Sequence, residues 1–182
     1  MYYIVLITVV ILFSTFTSLA QNVVLNNEKS KTKITYELRH PAHNVRGVSD
    51  DLQVKIEYDK SNNSIKQVIA QVRVTSFNSG NSNRDSHAME LIEAQKYPKA
   101  FLKSTKIVEF ADSLVCYADL TFHGVTKNIT INARKKFSVN ILNVNGNFAI
   151  SLDEFKVERP KLLFVPSEEY LRFEFSVSFV IN

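Results

Sequence analysis

Apolar and polar residues alternate with period two along most of the chain, the spacing that sends one row of side chains to one face of a β-sheet. Ile34, Tyr36 and Leu38 alternate with Thr35, Glu37 and Arg39, and Val54, Ile56 and Tyr58 alternate with Lys55 and Glu57. Val68, Ala70, Val72 and Val74 form a third row against Ile69, Gln71 and Arg73. Leu114, Cys116, Ala118, Leu120 and Phe122 form another, followed by Ile129, Ile131 and Ala133. The clearest is the last, where Leu171, Phe173, Phe175, Val177 and Phe179 oppose Arg172, Glu174, Ser176 and Ser178.

Turn chemistry separates these rows at Asp59-Lys60-Ser61-Asn62-Asn63, at His123-Gly124 and at Asn145-Gly146, the last being the dipeptide that best tolerates the positive φ angles of a two-residue hairpin. One segment breaks the period. From Asn83 to Ala94 and just beyond, residues Ala88, Leu91, Ile92 and Gln95 fall at helical spacing. Asn83 or Ser82 can cap this helix, Asp85 sits in its first turn where the dipole favours a carboxylate, and Pro98 stops it. The pattern predicts an all-β domain with one short helix, an antiparallel sandwich or barrel of about eight strands.

Composition narrows the class. With 45% hydrophobic and 22% charged residues, 4 Gly and 1 Cys among 182, the chain is neither disordered, collagenous nor disulfide-stapled. Twenty-two Lys+Arg against 18 Asp+Glu give a net charge of +4, too mild and too dispersed for a nucleic-acid partner. Lys127, Arg134, Lys135 and Lys136 lie in an acid-free stretch and read as a solvated exterior, with weak attraction to an anionic membrane surface as the second reading. Cys116 shares an apolar row and reads as a buried, inert thiol. The aromatic content rests on 13 Phe and 7 Tyr, without Trp.

Residues 1–20 carry no charged side chain, and the run from Ile4 to Phe16 ends in the small-x-small triplet Ser18-Leu19-Ala20. This pattern predicts a signal peptide cleaved before Gln21, and therefore an exported, periplasmic or secreted domain over residues 21–182. A lone cysteine cannot form an intrachain disulfide, so that domain depends on its core.

Three further motifs occur in order: Asn83-Arg84-Asp85-Ser86-His87-Ala88-Met89, then Tyr97-Pro98-Lys99-Ala100-Phe101 with Lys103-Ser104, then Leu120-Thr121-Phe122-His123-Gly124-Val125-Thr126-Lys127. Together with Leu152-Asp153-Glu154-Phe155 and the closing strand, they resemble the YceI family of bacterial periplasmic proteins over roughly residues 30–180. The resemblance implies a lipocalin-like antiparallel β-barrel whose lumen holds a long apolar lipid, a polyisoprenoid or an isoprenoid quinone tail, with no other cofactor. The lumen candidates are Val72, Val74, Phe101, Leu120, Phe122, Phe173, Phe175 and Phe179, though the same rows are what any β core needs. Arg84, Asp85 and His87 are candidates at the mouth, either meeting a head group or fixing the loop before the helix.

Competing chemistry is weakly supported. His40, His43, His87 and His123 lack metal-ligand spacing, and Asp85-Ser86-His87 lists triad residue types without a nucleophile elbow. An enzyme is not expected. The rival to a lipid carrier is a barrel whose lumen is filled by its phenylalanines or plugged by the proline-bounded segment from Glu158 to Pro166, acting as a structural or protein-interaction module. Monomer and homodimer are both compatible with the sequence.

Overall fold

The alternating rows become strands. In the computed structural model, which describes residues 22–181, these are β1 (Asn22–Asn26), β2 (Lys33–Leu38), β3 (Val45–Ser49), β4 (Gln53–Asp59) and β5 (Ser64–Arg73), then the helix α1 (Ser82–Leu91). They continue with β6 (Lys99–Glu109), β7 (Ser113–Phe122), β8 (Val125–Ser138), β9 (Ile141–Ser151), β10 (Lys161–Leu162), β11 (Val165–Pro166) and β12 (Tyr170–Val180). The predicted signal peptide lies outside the described residues. Ten strands form one antiparallel sheet in the order β1-β4-β5-β6-β7-β8-β9-β12-β2-β3, while β10 and β11 make a separate ribbon.

The sheet curls until it touches its own distant elements at two points. At one point Val48 of β3 exchanges backbone hydrogen bonds of 2.9 Å with Asn78, in the connector after β5. At the other, Asn27 bridges Phe179 of β12 while its side chain holds β4: the Val54 amide donates to Asn27 Oδ1 at 2.7 Å, and Asn27 Nδ2 donates to Leu52 O at 3.1 Å. The inward rows then share one core. Ile56, Leu142 and Phe179 are at most 2% exposed, and side chains of this kind each contribute about 1.5–3 kcal/mol relative to an exposed position.

Four local expectations are corrected. The sheet has ten strands rather than about eight, because the short β1 and β3 extend its ends. Asn145-Gly146 is no turn: β9 runs straight through it, and the hairpin from β8 turns instead at Val139-Asn140, with Val139 at φ 51°. Gly146 is required because Phe175, its partner across β12, lies over it; a Cβ there would stand 2.6 Å from the Phe175 ring and 2.7 Å from Asn132 O. Strand β5 ends at Arg73, and Val74 sits in a 3-10 turn, Val74–Ser76, yet stays 4% exposed. The helix cap is Asn81, whose side chain accepts from the Arg84 amide at 3.0 Å.

Candidate ligand-binding lumen

Two adjoining cavities run through the barrel. The inner one, about 140 Å³, is walled by the inward rows, among them Ile34, Val54, Val72, Leu120, Ile131, Phe148 and Phe175. The outer one, about 280 Å³, lies under α1 and is framed by Tyr36, Met89, Ile92, Leu152, Val157 and Leu171. Val74, Phe77, Phe122 and Phe173 belong to both walls. These four side chains form a waist. Phe173 stacks on Phe148 at 4.9 Å, Phe77 packs against Tyr36 at 5.5 Å, and Phe122 meets Phe155 edge-on at 5.8 Å.

The end opposite α1 is closed by polar contacts. Tyr58 is 0% exposed, and its hydroxyl donates to Asn63 Oδ1 at 2.8 Å. Lys135 continues the inward row of Ile131 and Ala133, and its side chain is only 7% exposed because it donates to Glu109, which also accepts from the Ile65 amide. The exterior role predicted for Lys135 is therefore corrected. Cys116 lies in the inward row of β7, and burial pushes its thiol up to about 11.

The open end carries the polar groups. Arg84 donates from Nε to Ser79 Oγ at 2.9 Å and from a terminal nitrogen to Ser79 O at 2.8 Å, while Asp85 accepts from the Ser79 amide at 3.2 Å. Both side chains thus tie the loop before α1, and both border the outer cavity. Burial, then the Asp85 carboxylate, push the Tyr36 phenol above its ordinary range, with Arg84 opposing them. His87 also borders this cavity; it is 61% exposed and meets Glu90 Oε2 at 3.7 Å. Among the described residues, no three His, Cys, Asp or Glu side chains gather as a metal site.

Val72, Leu120 and Phe175 line the inner cavity, and Val74, Phe122 and Phe173 line both. Phe101 borders the inner cavity but is 42% exposed, since on β6 its neighbours Leu102, buried, and Ala100, partly buried, pack against the core. Phe179 lines neither cavity and packs in the core at 1% exposure. Sequence reasoning missed Phe77, which sits in a connector outside any alternating row.

The second and third motifs meet in space. His123-Gly124 forms the β7–β8 turn with φ 50° and 72°, and a Cβ on Gly124 would stand 2.5 Å from the Tyr97 ring. His123 packs edge-on against Tyr97 at 4.9 Å and places its ring nitrogens 3.0 Å from Phe155 O and 3.0 Å from Glu93 Oε2. The tyrosine-proline and glycine-valine-threonine-lysine motifs are coupled because each shapes the other's packing.

Curled antiparallel sheet, capping helix and apolar lumen define a lipocalin-like barrel. Within that class the chain belongs to the YceI-like domain family, whose model matches residues 25–179. It is 30% identical over 122 residues to a UPF0312 protein of Vibrio cholerae, and the match spans 65% of each chain, just under two thirds of that relative's length. It is 25% identical over 127 residues to Protein YceI of Escherichia coli, covering 68% of this chain and 66% of the other. Burkholderia cenocepacia BcnA superposes with a TM-score of 0.75 at 15% identity, over 84% of this chain and 98% of that one. A polyisoprenoid binding domain from Saccharophagus degradans, implicated in plant cell wall breakdown, superposes with a TM-score of 0.64 at 11% identity, over 87% and 98% of the two chains.

Proposed function

We propose that this chain is an exported, non-catalytic binding protein that holds one long apolar lipid, a polyisoprenoid or an isoprenoid quinone tail, along the two cavities. The observation that carries this reading is their arrangement: an apolar inner cavity, an outer one with Arg84, Asp85 and His87 at its edge, and a closed far end. The cavities, about 140 and 280 Å³, together reach the lower part of the roughly 300–1,000 Å³ usual for ligand sites. Apolar area removed from water drives binding, and a lipid burying on the order of 400 Å² gains about 10 kcal/mol before ordering costs. Family membership and the polyisoprenoid-binding neighbour support the ligand class, and the uncharged apolar run of residues 1–20 supports export.

The narrowness of the inner cavity favours a second reading, a barrel that works through its surface. Titration with a fluorescent isoprenoid analogue separates the two. The carrier reading requires saturable binding of one analogue per chain, weakened at least about tenfold by Val72→Trp, which fills the inner cavity. Absent binding, or equal binding by a folded Val72→Trp protein, favours the surface reading.

A further inference from the structure

We propose that the β10–β11 ribbon is a membrane-inserting finger, whose tip residues Leu163 and Phe164 enter the interface of a phospholipid bilayer and set the mouth of the lumen against it. The loading role of that contact rests on the lipid-carrier reading above; the insertion itself does not.

The ribbon tip turns outward, against the alternative in which this segment plugs the lumen. Leu163 is 84% exposed and Phe164 97%, while the flanking Leu162 and Val165 are 40% and 45% exposed. Both tip residues hold positive φ, 49° and 69°, in a two-residue turn between the paired strands. Asn-Gly is the sequence that such a turn and the surrounding water both favour. Val139 breaks this rule once, in the β8–β9 turn; at the ribbon tip two adjacent large apolar residues break it together, beside the mouth of the outer cavity.

The occupant follows from size, charge and place. Phe164 offers on the order of 200 Å², and a four-residue tip falls far short of the roughly 800 Å² per partner of a stable protein interface. A bilayer requires no matching surface, because amphipathic elements sink apolar side chains about 5–10 Å into the headgroup boundary. Two cations at the ribbon's base are already paired, Lys161 with Glu158 at 3.0 Å and Arg159 with Asp153 at 3.3 Å. Insertion is therefore apolar and depends little on salt. The base of the ribbon is part of the outer cavity wall through Pro160, Lys161 and Leu162. It is also braced: His40 Nδ1 accepts from the Ala42 amide at 3.0 Å, so Nε2 carries the proton and donates to Val165 O at 2.9 Å.

The chain has no tryptophan, so Phe164→Trp in a protein starting at Gln21, which contains every described element, reports on the tip alone. With phosphatidylcholine vesicles, its emission should shift to the blue and be quenched by brominated acyl chains. Leu163→Asn/Phe164→Gly, which suits the turn, should lower vesicle partitioning about tenfold or more. That variant should keep its Tm and its uptake of an isoprenoid analogue supplied without vesicles. Insertion by a protein that takes up no analogue supports the finger and sinks the lumen reading. Water-like emission with vesicles, or unchanged partitioning of the double variant, overturns the finger while leaving the lumen standing. A dimer that the double variant disperses, without vesicle binding, assigns the tip to a contact between copies and overturns it too.

Discussion

The ring of Phe173 on β12 meets that of Phe77 edge-on, with centroids 6.5 Å apart, and both side chains stand in the walls of both cavities. A strand and a connector distant in sequence thus build the waist of the lumen. Its phenylalanines both line the space and divide it.

Removing one ring should open the waist. Fully buried Phe→Ala changes cost about 3–5 kcal/mol, and Phe173 is only partly buried, so Phe173→Ala should lower stability by about 2–3 kcal/mol. Stopped-flow uptake of long isoprenoid analogues should become faster, and chemical denaturation gives the stability loss. Unchanged uptake in a destabilised variant would mean that the rings do not obstruct passage.

At the mouth, two substitutions distinguish a structural role from a ligand role. Arg84→Ala breaks two bonds to Ser79 and should cost about 1–2 kcal/mol. His87 is exposed and weakly paired, so His87→Ala should leave stability within about 0.5 kcal/mol. Binding of analogues with and without a phosphate head group checks the other half: a selective loss for the phosphate form in His87→Ala assigns that side chain to the head group.

Glycine substitutions should rank by what a Cβ meets. Gly80 has positive φ but open space around it, so Gly80→Ala should cost about 1–2 kcal/mol. Gly146→Ala drives a methyl into the Phe175 ring and the Asn132 carbonyl and should cost more than about 2 kcal/mol, in the upper part of the usual overpacking range of about 1–3 kcal/mol. Thermal melts of the two variants give the order directly.

Asp59 should make the fold sensitive to acid. Its carboxylate accepts from the Ser61 hydroxyl and Asn62 Nδ2 and lies 3.5 Å from Lys66 Nζ, and these contacts hold it down to about 2. A carboxyl held below its unfolded value of 3.8 stabilises the native state fully above that pH and loses this contribution as pH falls toward 2. Asp59→Asn should therefore flatten the decline of Tm across that interval; an identical slope would assign the acid sensitivity elsewhere.

The strands were legible because a one-residue slip would turn every apolar side chain outward, so the alternation has to show. Relations between strands left weaker traces. Asn145-Gly146 reads as a turn, yet its glycine answers to Phe175 on a strand almost thirty residues away, while the real turn carries Val139. Lys135 reads as exterior because its partner Glu109 lies on β6, beyond any local window. Phe77 escaped because an aromatic in a connector has no period. The paired motifs around Tyr97 and Gly124 were visible as motifs, but their mutual packing was not.

Native mass spectrometry of the protein, purified without detergent, tests the lumen most directly. One isoprenoid lipid per chain, retained through purification and released by organic solvent, is the expected result. A bare protein mass, both as purified and after incubation with isoprenoid-containing vesicles, would contradict it.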